Sequence, residues 1–83
     1  MESAINEYIS HELVSKPELL PLDNDTPLLE TGVLDSLSVL KLVLFLEQQF
    51  GVVVAAEDLI PDNFENVDAI CAYLRAQQQV QQV

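Results

Sequence analysis

The sequence is short of basic residues. Its 83 residues include three basic side chains, Lys16, Lys41 and Arg75, against 14 acidic ones, which gives a formal net charge of −11. A charge this negative repels nucleic acid and anionic membrane surfaces, favours partners with basic surfaces and also aids solubility. We therefore expect neither nucleic acid nor a membrane among the partners of this chain.

Cysteine is equally scarce. The single cysteine, Cys71, excludes an internal disulfide and lies in an apolar stretch, so we expect a small core residue rather than a reactive thiol. The N-terminus shows no signal-peptide pattern and the sequence has no long apolar run, which favours a cytoplasmic location.

The length of the chain allows one small domain. A domain of 83 residues cannot easily surround a large substrate and still keep a core, which argues against a self-contained enzyme with a deep pocket. The apolar fraction of 49% is too high for a disordered acidic tail. We expect a monomer with a single domain over residues 1–83, in which the low-complexity tail 77–83 frays.

Apolar spacing and turn-forming residues predict three main helices, over residues 2–15, 35–50 and 67–79. Asp35 and Asn66 are suitable N-caps for the second and last helices, and Gly51 stands where a C′ glycine ends a helix. A short, imperfect helical turn is expected over 57–64. The apolar stretch 52–56 is predicted to be a buried loop, because a single strand would have no partner.

The segment between the first two helices, 18–34, contains Pro21, Pro27 and Gly32 and is predicted to be a long ordered loop. It has too many apolar residues for a solvated linker, so we expect it to pack on the core: Leu19, Leu20, Leu22, Leu28, Leu29, Val33 and Leu34. The predicted fold is a small all-α four-helix bundle. It has three main helices, a short third helix and a long loop between helices 1 and 2.

The second helix is apolar around nearly its whole circumference, whereas an ordinary surface helix buries one stripe. The side predicted to be buried consists of Leu42, Phe45, Leu46 and Phe50, with Val39 or Val43. Leu37, Leu40 and Leu44 form a second side. An exposed apolar stripe among acids indicates a partner-binding surface, unless a homodimer or the long loop covers it.

Ser36 follows Asp35 at the start of this helix, where a serine is most often a helix cap. A hydrolase elbow would need G-x-S-x-G, but Leu34 and Ser38 stand at the glycine positions. A serine nucleophile also needs a base, and the one histidine, His11, is expected on the surface of the first helix. Position alone therefore favours a cap over a nucleophile at Ser36.

The run Asp23-Asn24-Asp25 begins like a calcium-binding loop. Leu28 and Leu34 stand where the glycine and the final glutamate of such a loop belong. We interpret these residues as turn and cap residues, and expect no metal site.

Three motifs in order along the chain resemble those of the phosphopantetheine-binding carrier proteins. They are T-P-L-L-E-x-G-x-L-D-S-L at 26–37, L-E-x-x-F-G at 46–51 and E-D-L-x-P-x-N-F-x-N-V-x-A-I at 57–70. The resemblance implies that a phosphopantetheinyl transferase, with magnesium in its own active site, attaches 4′-phosphopantetheine from coenzyme A to Ser36 and uses the neighbouring Asp35. It also implies a carrier without catalytic residues, whose partner-binding face consists of Leu37, Leu40, Lys41, Leu44 and Glu47.

The cargo is suggested by a departure from the fatty-acid carriers, which typically have an acid where Lys41 stands. The chain is more similar to stand-alone peptidyl carrier proteins, in particular those that hold proline while a flavin enzyme oxidises it. The implied partners are then an amino-acid adenylating enzyme, a flavin-dependent acyl dehydrogenase and downstream synthase modules of a natural-product pathway. The alternatives are a carrier of malonyl, fatty-acyl or polyketide cargo, and an acidic helical interaction module without cofactor.

Overall fold

Three α-helices account for most of the regular structure in the computed structural model, which describes residues 1–81. They are α1 (Glu2–Tyr8), α2 (Ser36–Phe50) and α3 (Val67–Gln81). No β-strand occurs within residues 1–81. The all-α fold class is therefore confirmed. No helix in this range is long and apolar enough to cross a membrane.

The first helix ends earlier than predicted. α1 continues into a π-helical segment, Ile9–Leu13, and Val14 is already extended. Lys16 is extended as well, with φ −108° and ψ 109°. A residue before a proline is disfavoured in the helical region, so the chain straightens ahead of Pro17.

Both ends of α2 form where their capping residues predict. At the start, Asp35 is extended and its Oδ1 accepts the backbone N–H of Ser38 at 2.8 Å. At the other end, Gly51 takes a left-handed conformation with φ 68° and donates its N–H to the carbonyl of Glu47. These caps satisfy backbone groups that a helix terminus otherwise leaves without a helical partner.

The start of α3 is capped from two directions. Asn66 Oδ1 accepts the N–H of Ala69 at 2.7 Å, as predicted, and the carbonyl of Asn24 in the long loop accepts the N–H of Asp68 at 3.1 Å. The helix continues beyond the predicted end at residue 79. Residues 82 and 83 lie outside the described range, so the fraying of 77–83 stays a prediction.

The core lies between the three helices. The helical residues that are completely buried are Ile5 in α1, Ile9 in the π-helical segment, Leu42 and Leu46 in α2, and Val67, Ile70, Cys71 and Leu74 in α3. This confirms the predicted position of Cys71 in the core. Removing one leucine side chain from water contributes about 1.5–3 kcal/mol, so these residues provide much of the stability of so small a domain.

The long loop contributes four further core residues, Leu22, Leu28, Val33 and Leu34. Its backbone is tied to the helices, because Asn6 Nδ2 donates to the carbonyl of Leu22 at 2.7 Å and the N–H of Leu28 donates to the carbonyl of Glu65 at 2.8 Å. The loop therefore packs on the core as predicted, except that Leu20 and Leu29 are exposed.

The predicted short third helix takes the form of two 3-10 turns, Ala56–Asp58 and Pro61–Asn63. Ile60, which precedes Pro61, is extended with φ −114° and ψ 153°, so one continuous helix is interrupted there. We refer to residues 56–64 as the 3-10 segment.

The stretch between α2 and the 3-10 segment was predicted to be a buried loop. It is irregular, as predicted, but only Val52 is fully buried, and Val53 is 69% exposed. The hydrophobic character of a short run therefore overstates its burial at this position.

Candidate functional site

Ser36 is the first residue of α2 and is exposed to solvent. The helix fixes its backbone, while its hydroxyl stays accessible. The first turn of a helix carries the positive end of the helix dipole and backbone N–H groups that have no helical partner, and both favour an anion. The geometry at Ser36 thus suits a side chain that carries a phosphate ester.

The carboxyl group of Asp35 is held in its ionised form beside Ser36. The backbone N–H of Ser38 lowers the pKa of Asp35 from its ordinary value, and the hydroxyl of Ser38 adds to the effect. Asp35 is itself exposed, so this carboxylate is available to an approaching enzyme as well as capping α2.

An apolar groove of about 400 Å³ lies next to Ser36. It is formed by the long loop, α2 and the 3-10 segment, and its apolar lining consists of Leu29, Val39, Leu40, Leu59, Ile60, Pro61 and Phe64. Asp35 and Ser36 are the polar residues of the lining. The groove explains why Leu29, Leu59 and Ile60 are exposed although they are large and apolar.

A second cleft, which we call the acidic cleft, adjoins this groove and shares Leu29 and Pro61 with it. Its charged lining residues are Glu30, Asp62 and Glu65, and no basic residue is among its lining. Three of the 14 acidic residues of the chain therefore lie in a cleft that adjoins the groove beside Ser36.

The second apolar side of α2 is exposed, as predicted. Leu37, Leu40 and Leu44 are 63%, 55% and 58% exposed, whereas Leu42 and Leu46 on the opposite side are completely buried. We call Leu37, Leu40 and Leu44 the leucine ridge. The long loop does not cover it, which removes one of the two alternatives to a partner-binding surface.

The two charged residues predicted for the partner face differ in their surroundings. Lys41 is exposed, and within residues 1–81 its ammonium group makes neither an ion pair nor a hydrogen bond. Glu47 is half-buried, and its Oε2 accepts the backbone N–H of Val54 at 3.0 Å. Glu47 thus holds the loop after α2, a role that its position in the motif did not reveal.

The remaining candidates from the sequence lie elsewhere. His11 is exposed and lines a separate cleft with Tyr8 and Phe45, whose rings stack with centroids 4.0 Å apart. Burial raises the pKa of the Cys71 thiol to about 11, so this cysteine stays protonated. Neither residue meets the groove beside Ser36.

The run 23–25 takes part in turns and caps, as interpreted from the sequence. The N–H of Asp23 donates to Thr26 Oγ1 at 3.1 Å, and Asn24 Oδ1 accepts from Asn6 at 2.9 Å. In the described part of the chain, no group of three His, Cys, Asp or Glu side chains is arranged to hold a metal ion.

Sequence reasoning did not anticipate the groove, nor the contact that supports one of its walls. Tyr73 is buried in α3, and its hydroxyl donates to Asp58 Oδ2 in the 3-10 segment at 2.7 Å. Asn63 Nδ2 donates to the carbonyl of Asp58 at 2.8 Å. The one available signal was the pair of apolar residues Leu59 and Ile60 within an acidic segment.

An exposed serine at a capped helix start, on a small all-helical domain, fits a carrier of a covalently attached group. Residues 12–74 match the family model described as "Phosphopantetheine attachment site". Because this match covers most of the chain, the chain belongs to the phosphopantetheine-binding carrier family. It is a carrier and not an enzyme, and its cofactor is covalently attached 4′-phosphopantetheine.

The proteins that are similar to the chain include the following two. Over 54 residues it is 35% identical to the probable acyl carrier protein PigG of Serratia sp.; this stretch covers 65% of the chain and 62% of that protein. The chain therefore spans less than two thirds of the length of this curated relative.

The second similar protein is a chain of the structure titled "Crystal structure of FAD-dependent dehydrogenase". It matches with a TM-score of 0.76 and 37% identity over 84% of this chain and 97% of that chain. Because nearly the whole of that chain is covered, it is about as small as the protein described here.

The residues around Ser36 fit the cofactor. The hydroxyl of Ser36 is exposed, the helix start favours its phosphate, and the groove offers apolar surface beside it. Family membership also sets aside an interaction module without cofactor.

Proposed function

We propose that the chain holds an aminoacyl group as a thioester on a 4′-phosphopantetheine arm attached to Ser36, and presents it to enzymes of a natural-product pathway. The observation that carries this proposal is the exposed Ser36 hydroxyl at the capped start of α2, in a chain of the phosphopantetheine family. The cap fixes where the arm leaves the protein.

The residues near Ser36 have distinct roles in this proposal. Ser36 supplies the oxygen of the phosphate ester, and the exposed helix start stabilises the anion by about 0.3–1 kcal/mol. Asp35 is ionised and serves the transferase that attaches the arm. The cargo is held on the thiol of the arm, because Cys71 is buried and protonated.

Partner enzymes bind the leucine ridge and Lys41. The ridge offers a small apolar contact, which suits a transient complex, since one carrier has to visit several enzymes in turn. The acidic charge near Ser36 speeds the encounter with a basic surface. Glu47 contributes less to this face than its position suggests, because its carboxylate already holds the backbone of Val54.

The proposed partners are the phosphopantetheinyl transferase, an amino-acid adenylating enzyme and a flavin-dependent acyl dehydrogenase, with synthase modules downstream. Support for a flavin enzyme comes from the likeness to a chain of the structure titled for an FAD-dependent dehydrogenase. Support for an aminoacyl cargo comes from Lys41, which stands where fatty-acid carriers typically have an acid.

The test of the attachment site uses the protein with coenzyme A, magnesium and a broad-specificity phosphopantetheinyl transferase, followed by intact mass. We expect the mass of one arm to be added to the wild type and to Ser38→Ala, but not to Ser36→Ala. Ser38→Ala is a matched control, because it removes a hydroxyl two residues away and keeps the backbone N–H that binds Asp35. A mass gain that survives in Ser36→Ala would contradict the proposal.

The cargo is tested with the same holo-protein. Loading by an amino-acid adenylating enzyme with its amino acid and ATP supports an aminoacyl carrier. Loading only by an acyltransferase with malonyl- or acyl-coenzyme A would contradict the aminoacyl cargo and support the malonyl, fatty-acyl or polyketide alternative. The proposed role of Ser36 would stand in either case.

A further inference from the structure

We propose that the docking surface is electrically two-sided, with Lys41 binding a carboxylate of the partner enzyme while the acidic cleft binds basic side chains of the same partner. This inference rests on the proposed function and names the chemistry of the partner's surface. In this inference, Lys41 determines which partner enzymes bind the carrier and has no part in attaching the arm to Ser36.

Helix geometry separates the two sides. Successive residues of an α-helix are rotated by about 100°, so Val39 and Lys41 lie on opposite sides of Leu40. Val39 lines the groove, which shares Leu29 and Pro61 with the acidic cleft. The leucine ridge therefore runs between the groove that adjoins the acidic cleft and a flank that carries Lys41.

Acidic residues outnumber basic ones around the leucine ridge. From residue 27 to residue 65, which includes α2 and both segments that line the groove, Lys41 is the single basic residue. Elsewhere, Arg75 is paired with Glu2 at 2.8 Å, and Lys16 follows the first helix. Lys41 has no ion pair within the described range, so its charge is available to a partner.

A complex on the leucine ridge would remove water from the flank of Lys41. A cation that loses water without gaining an acceptor destabilises the complex, and a uniformly basic partner surface would add repulsion. The partner that fits has an apolar centre, basic residues opposite Glu30, Asp62 and Glu65, and an acidic residue opposite Lys41. Partners that lack this acidic residue are disfavoured.

Two matched substitutions, each of which neutralises one charge, test the inference by whether they make loading slower or faster. Lys41→Gln and Asp62→Asn each remove one exposed charge, of opposite sign. The assay measures kcat/KM for loading of the holo-protein by whichever enzyme loads the wild type, adenylating enzyme or acyltransferase, at low and high salt. If net negative charge alone governed the encounter, Lys41→Gln would load faster and Asp62→Asn more slowly.

We expect both variants to load more slowly, Lys41→Gln by about tenfold at low salt and by less at high salt. Lys41→Arg should keep most of the activity. Lys16→Gln, the same charge change outside this face, should be as fast as the wild type or faster. Circular dichroism verifies that each variant is folded.

Loading of Lys41→Gln at or above the wild-type rate would overturn the inference. It would leave the proposed function intact, because the wild type would still be modified at Ser36 and loaded. The two claims therefore fail separately.

Discussion

Replacing Tyr73 by phenylalanine should destabilise the fold through one hydrogen bond. The Tyr73 hydroxyl donates to Asp58 Oδ2 at 2.7 Å, and the carbonyl of Asp58 accepts from Asn63. Asp58 thus links α3 to the 3-10 segment, whose residues Ile60 and Pro61 line the groove beside Ser36. The substitution keeps the buried ring and removes only the link.

The size of the effect follows from the acceptor. A hydrogen bond to a charged group contributes about 1.5–3 kcal/mol to stability. Asp58 is half-buried, so water can reach its carboxylate after the change, which places the expected loss near 1.5 kcal/mol. In a domain of this length, such a loss lowers Tm by about 6–12 °C.

The assay is urea unfolding followed by circular dichroism, with Tyr8→Phe as the matched control. The Tyr8 hydroxyl donates to the carbonyl of Lys41 at 3.3 Å on the exposed surface, so its removal should cost less than about 0.5 kcal/mol. Equal losses in the two variants, or no loss in Tyr73→Phe, would refute the reasoning.

The dependence of stability on alkaline pH is a second measurement of the role of the Tyr73 hydroxyl. Burial, and then the hydrogen bond to Asp58, raise the pKa of Tyr73 from 10.0 to about 12. The unfolded chain loses this proton as the pH rises above 10, while the folded protein keeps it until about 12. Stability should therefore fall with rising pH in this window, and the share of that fall due to Tyr73 should be absent in Tyr73→Phe.

Three further substitutions or probes test the rest of the fold. Gly51→Ala should cost about 1 kcal/mol in urea unfolding, because φ is 68° there and an added Cβ would meet nothing within 4 Å, so only backbone strain acts. Cys71 should react with a thiol reagent only at the rate of unfolding, and rapid labelling in native buffer would contradict its burial. Asp35→Asn keeps an acceptor for Ser38 and should preserve α2 better than Asp35→Ala in circular dichroism. Because the pKa of Asp35 is lowered in the folded state, the stabilisation it adds is present above the ordinary pKa of an aspartate. That stabilisation is lost as the pH falls through the lowered value, and this acid-side loss should be absent in Asp35→Asn.

The ends of α2 and the start of α3 were predictable because their signals are local. Asp35 and Asn66 each accept the backbone N–H of the residue three positions later. Gly51 takes a left-handed conformation that ends α2. Each capping residue lies within a few positions of the backbone group that it hydrogen-bonds. Helical periodicity likewise separated the buried Leu42 from the exposed Leu44.

Contacts between distant residues were not predictable in the same way. The pairing of Tyr73 with Asp58 and the capping of Asp68 by Asn24 depend on how segments meet in space. Glu47 looked like a surface residue of α2 because nothing in the helix pattern indicates that the chain after Gly51 returns to its carboxylate.

The site shows the same division. Ser36 was identified from a motif of consecutive residues, and the structure places it at an exposed, capped helix start. The groove was not identified, because its walls come from three segments that are separate in sequence and meet only after folding. A motif of consecutive residues thus predicts the proposed attachment point, while the surface that surrounds it becomes visible only in the tertiary structure.

The exposed leucine ridge and the acidic charge of the chain depend on each other. Leu37, Leu40 and Leu44 add little to the core, and an uncharged protein with such a ridge would tend to bind other copies of itself. Two copies of this chain each carry a net charge of −11 and repel each other, whereas a basic partner is attracted by the same charge. Repulsion between two copies therefore opposes self-association through the ridge and leaves these leucines exposed.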